Sequence, residues 1–69
     1  MKRISKDELF YLIDSYIFNQ RNREVMKRRL YDGITYEALA EEFSMSVGQV
    51  KNIVYKNQAI IFEMLGDQE

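Results

Sequence analysis

The chain has 69 residues, with ten Lys or Arg, eleven Asp or Glu, and no His, Cys or Pro, giving a formal net charge of −1. That length holds one domain, whose single core yields only about 3–5 kcal/mol without a staple, a metal or a partner. Without Cys and His there is no disulfide, no thiol nucleophile, and neither the commonest general base nor the commonest zinc ligands, so no enzyme, metal site or cofactor is expected.

Ser5 followed three residues later by Glu8 is a capping box, and Ile4 can staple onto Leu9. These open a first helix of about 5–19. Its core-facing stripe is Leu9, Ile13, Tyr16 and Ile17, while Tyr11 and Phe18, seven residues apart, share a nearly opposite face. Asn19 or Asn22 caps a second helix of about 22–32, which ends at Asp32-Gly33 because glycine tolerates the left-handed conformation after a helix. Thr35 caps a third helix of about 35–43, with Ile34 stapling onto Leu39. One of its stripes is Leu39, Ala40 and Phe43, and the other side holds Glu37, Glu41 and Glu42. Ser46 with Gln49 repeats the capping box, and Met45 with Val50 the staple, to open a last helix of about 46–65. There Val50, Ile53, Val54, Asn57, Ile61 and Met64 recur at three- and four-residue steps, the spacing of a core-facing stripe. The opposite face carries Gly48, Lys51, Asn52 and Tyr55, then Ala59 and Phe62, so it is polar in its first half and apolar in its second. The expected fold class is all-α, a single four-helix domain over 1–69 with no linker, repeat or strand.

Resolved along the chain, the charge falls into stripes. Arg21, Arg23, Lys27, Arg28 and Arg29 against Glu24 make the second helix strongly basic, and Asp32, Glu37, Glu41 and Glu42 make the third acidic. Lys2, Arg3 and Lys6 face Asp7, Glu8 and Asp14 near the start, and Glu63, Asp67 and Glu69 close the chain. Glu37 and Glu41 lie one helical turn apart, but nothing in the sequence beside them completes a catalytic pair or a metal site, so they read as a solvated face. No apolar run approaches the roughly 18 residues needed to cross a bilayer, and Met1-Lys2-Arg3 leads into Asp7 and Glu8 instead of an apolar stretch. The expected location is the cytoplasm, with no membrane partner.

Phe43-Ser44-Met45-Ser46 joins the third helix to the fourth through a turn of about three residues, so the two must cross steeply, as in a helix-turn-helix. The stretch Tyr36 to Tyr55, YEALAEEFSMSVGQVKNIVY, resembles the pattern of bacterial helix-turn-helix proteins. Ala40 stands where that pattern has a small residue at the helix crossing. Val50 and Ile53 stand at buried positions of the recognition helix, and Leu39, Phe43 and Met45 at apolar positions around the turn. Extended back to Arg21 and on to Lys56, the segment is similar to the fourth conserved region of bacterial sigma factors and related phage or mobile-element regulators. It departs from them at Ser44, where the family usually has Gly, and at Gly48, where it usually has a larger side chain.

The resemblance implies a sequence-specific DNA-binding transcriptional regulator with its motif over 35–56. The start of the fourth helix would enter the major groove with Ser46, Val47, Gly48, Lys51, Asn52 and Tyr55 facing it. Asn52 can pair with adenine N6 and N7, Lys51 can address guanine O6 or N7, and Val47 can touch a thymine methyl. Phosphate contacts are expected from Arg28, Arg29, Thr35, Tyr36 and Lys56, with Arg29 alternatively pairing with Glu37 or Glu41. The alternative function is a sigma-like interaction module that binds RNA polymerase or another regulator without reading DNA. Tyr11, Phe18 and Phe62 exceed what one core needs and predict a homodimer interface, which could set two recognition helices about 34 Å apart on successive half-sites. Double-stranded DNA and a second copy are therefore the expected partners, and no small-molecule ligand is expected.

Overall fold

Every helix start is built by the side chain that the sequence puts there. In the computed structural model, which describes residues 4–66, the elements are α1 (Lys6–Tyr16), α2 (Gln20–Leu30), α3 (Tyr36–Glu42) and α4 (Val47–Gly66). Lys2, Arg3, Asp67 and Glu69 of the terminal charge runs lie outside the described residues, which contain no strand. Ser5 Oγ accepts from the Glu8 N–H at 3.2 Å, Asn19 Oδ1 from Asn22 at 3.0 Å, and Thr35 Oγ1 from Ala38 at 3.1 Å. Ser46 and Gln49 form the full reciprocal box, with Gln49 N–H donating to Ser46 Oγ at 3.1 Å and Ser46 N–H to Gln49 Oε1 at 3.0 Å. At Ser5 the return bond differs, because the hydroxyl itself donates to Glu8 Oε1 at 3.3 Å.

α1 stops at Tyr16 and not at 19. Ile17 turns extended (φ −118, ψ 113) while its N–H still reaches Ile13 O, and its side chain drops into the core. Asn19 must itself be extended (φ −80, ψ 122) to cap the next helix, so the two helices compete for the same three residues and the cap prevails. The Arg23 guanidinium donates to Ile17 O, a carbonyl at the end of α1 that has no helical partner. α2 accordingly begins at Gln20, earlier than 22, and ends at Leu30. After it, Gly33 adopts φ +70, and the Ile34 N–H bonds back to Arg28 O at 3.2 Å.

The α3–α4 turn is a Schellman motif. Met45 N–H donates to Ala40 O at 2.8 Å and Ser44 N–H to Glu41 O at 3.4 Å, with Ser44 at φ +55 in the left-handed position. A serine thus holds the conformation that glycine usually takes, and the chain leaves α3 at the angle that the motif dictates.

α4 packs against all three other helices, while the backbones of α1 and α3 do not approach one another closely. Its twenty residues, roughly 30 Å of helix, run along a body measuring 36 × 19 × 17 Å. The core consists of Leu9, Leu12, Ile13 and Ile17, Val25 and Met26, Leu39 and Ala40, and Val50, Val54 and Ile61. Two residues of α1 depart from the expected stripe: Leu12 is buried, and Tyr16, the last residue of the helix, is 43% exposed. Asn57 is buried within the apolar stripe of α4, where its Nδ2 donates to Ile53 O at 2.8 Å and so escapes the cost of an unsatisfied buried amide.

Candidate nucleic-acid interface

The Schellman turn leaves the first half of α4 with one side packed on the core and the other open. Val50 and Val54 are buried; Ser46, Gly48, Lys51, Asn52, Tyr55 and Lys56 are exposed, and Val47 is half-buried. Lys51 and Lys56 form no ion pair among the described residues. At Gly48 an added Cβ would meet only Ser46 Oγ, at 3.9 Å, so no packing within the fold calls for glycine there.

Around this face three helices converge on one ring. The Arg29 guanidinium of α2 lies 4.2 Å from the centroid of Tyr36, the first residue of α3. Tyr36 meets Tyr55 of α4 edge to face at 6.0 Å and 83°, and Lys51 Nζ stands 5.7 Å from the Tyr36 centroid. Arg29 is held at a second point as well, donating to Ile34 O at 2.9 Å. It pairs with neither Glu37 nor Glu41, because its fork is turned towards the Gly33 turn and the tyrosine.

The basic stripe of α2 is in large part neutralised within the molecule. Arg28 makes a bidentate pair with Glu42 of α3 (Nε–Oε2 3.0 Å, Nη2–Oε1 2.8 Å) and a further bond to Asp32 at 3.1 Å. These hydrogen bonds, Glu42 first, raise the Arg28 pKa above its ordinary value. Lys27 lies 2.9 Å from Asp14 of α1 and 3.8 Å from Glu24. The Arg28–Asp32 pair was readable from its four-residue spacing, whereas Glu42, fourteen residues away, is joined to Arg28 only by packing.

The aromatic residues expected at a dimer interface are all exposed: Tyr11 is 71%, Phe18 86% and Phe62 51% accessible. They are not arranged as expected. Phe18 lies beyond the end of α1 in the link to α2, so it does not share a helix face with Tyr11. Tyr11 sits instead among carboxylates, lining with Asp7, Glu8 and Leu12 a surface groove of about 350 Å³.

A short helix entering a Schellman turn, followed by a long helix with an open polar start, is a helix-turn-helix. The family model for sigma-70 region 4 matches residues 18–56, which spans the end of the α1–α2 link through the exposed start of α4. The chain belongs to the sigma-70 region 4 family. That family is one of DNA-binding helix-turn-helix domains, and its match covers Arg29, Tyr36, Lys51, Asn52 and Tyr55 together. No curated protein and no solved structure matches the chain significantly. Among the described residues, no helix is long and apolar enough to cross a membrane, and no group of three or more acidic side chains is placed to hold a metal ion.

Proposed function

We propose that the protein is a sequence-specific transcriptional regulator that binds double-stranded DNA with the start of α4 in the major groove. The observation that carries this reading is the open face of Lys51, Asn52 and Tyr55, bordered by the Arg29–Tyr36 contact and left exposed among the described residues. Asn52 is the adenine reader, Lys51 addresses guanine, and Val47 meets a thymine methyl, with Ser46 and Tyr55 flanking them. Gly48 lets the backbone approach the duplex closely, which supplies the reason for a glycine that the fold itself does not require. Thr35, Tyr36 and Lys56 contact phosphates; Arg28 could join them only by giving up Glu42. Self-association through Tyr11 and Phe62 belongs to the same proposal, as does action in the cytoplasm.

One observation favours a second reading, as a module that docks on RNA polymerase or another regulator. Lys27 and Arg28 are paired with carboxylates, which leaves few free cations for phosphates. A salt series decides between the two. A DNA reader binds its selected duplex with log K falling by about 0.9 per phosphate contact against log salt, and Asn52→Ala flattens the preference at one base pair with that slope unchanged. Absence of duplex binding even at about 50 mM salt overturns the DNA reading in favour of a protein partner.

A further inference from the structure

We propose that Arg29 is a positioning residue that sets the reading face of α4 through Tyr36, instead of a phosphate ligand. Its significance for base recognition rests on the DNA-binding reading above, but the positioning itself does not.

Arg29 is fixed at two points that a single planar group can satisfy together. Its Nη1 donates to Ile34 O at 2.9 Å, on the far side of the Gly33 turn, and its Cζ lies over the Tyr36 ring, 4.2 Å from the centroid. The first contact ties the end of α2 to the chain entering α3, and the second orients the first side chain of α3. Tyr36 passes that orientation on, since its ring meets Tyr55 at 6.0 Å and lies 5.7 Å from Lys51 Nζ, both on the exposed side of α4. A contiguous chain, α2 to α3 to α4, thus reaches two of the residues assigned to the groove. Lysine keeps the charge of Arg29 but concentrates it on one ammonium, which cannot cover the Tyr36 ring and hold the Ile34 carbonyl as one extended planar group does.

The test combines Arg29→Lys and Arg29→Gln, each first checked for native helicity by far-UV circular dichroism. In the free protein, proton NMR reads the ring-current shifts that Tyr36 imposes on the Tyr55 ring and the Lys51 ε-methylene. Both variants should move these shifts towards unstructured values, and Tyr36→Leu, which removes the ring itself, sets the full change against which theirs is scaled. On the selected duplex, both Arg29 variants should lose affinity on the order of fivefold with the salt slope unchanged. The proposal is overturned if Arg29→Lys matches wild type in shifts and affinity while Arg29→Gln lowers the slope by about 0.9, the signature of one lost phosphate contact. Unchanged Tyr55 and Lys51 shifts in both variants overturn it equally. A wild-type protein that binds no DNA refutes the function proposed above, and the free-protein shifts still decide the role of Arg29.

Discussion

Ser44 sits at φ +55 in the Schellman turn, and replacing it with glycine should stabilise the protein. An L-residue in the left-handed region costs about 1–2 kcal/mol, and glycine avoids that cost but forfeits about 0.5–1 kcal/mol through its greater freedom when unfolded. The Ser44 hydroxyl makes no hydrogen bond among the described residues, and the motif's bonds run through the backbone N–H groups of Ser44 and Met45, so the change removes no hydrogen bond. The net gain is about 0.5–1 kcal/mol, which in a domain of this size raises Tm by roughly 3–6 °C. Two companions isolate the backbone as the cause. Ser44→Ala keeps the strained φ and should be near neutral. Gly33→Ala runs the argument backwards: Gly33 is at φ +70 with nothing within 4 Å of an added Cβ, so its cost of about 1 kcal/mol comes from the backbone alone. Urea unfolding followed at 222 nm gives all three differences, provided the m-values agree. A Ser44→Gly variant no more stable than wild type, or a neutral Gly33→Ala, would refute the reasoning.

Gly48→Ala should stabilise the fold by up to about 1 kcal/mol, since the site is open, and yet weaken duplex binding; wild-type affinity in the stabilised variant would mean that no close approach occurs there. Arg28→Gln should leave the salt slope of DNA binding unchanged, because its guanidinium is engaged by Glu42 and Asp32, and a slope shallower by about 0.9 would restore it to the phosphate contacts. Light scattering at micromolar concentration should find a dimer that Tyr11→Ser/Phe62→Ser converts to monomer. A monomeric wild type removes self-association from the proposal.

The four helices and their order were legible in the sequence because an N-cap is a local device, complete within four residues: Ser5, Thr35 and Ser46 each act at their own helix start whatever lies elsewhere. The core-facing stripe of α4 was legible for a related reason, as periodicity is a property of one helix. The end of α1 was not, because Ile17 and Phe18 read equally well as a continued helix, and only the committed cap at Asn19 excludes it. Nor could the sequence divide the work of Arg28 and Arg29. They are neighbours in a basic run, about 100° apart on α2. Which one meets Glu42 and which one meets Tyr36 depends on how α3 lies across α2 after the Gly33 turn. The sequence by itself determined that a helix-turn-helix forms and which side of α4 stays open. Tertiary packing decided which cations remain available to a partner, because an ion pair formed across two helices exists only once their relative placement has been set.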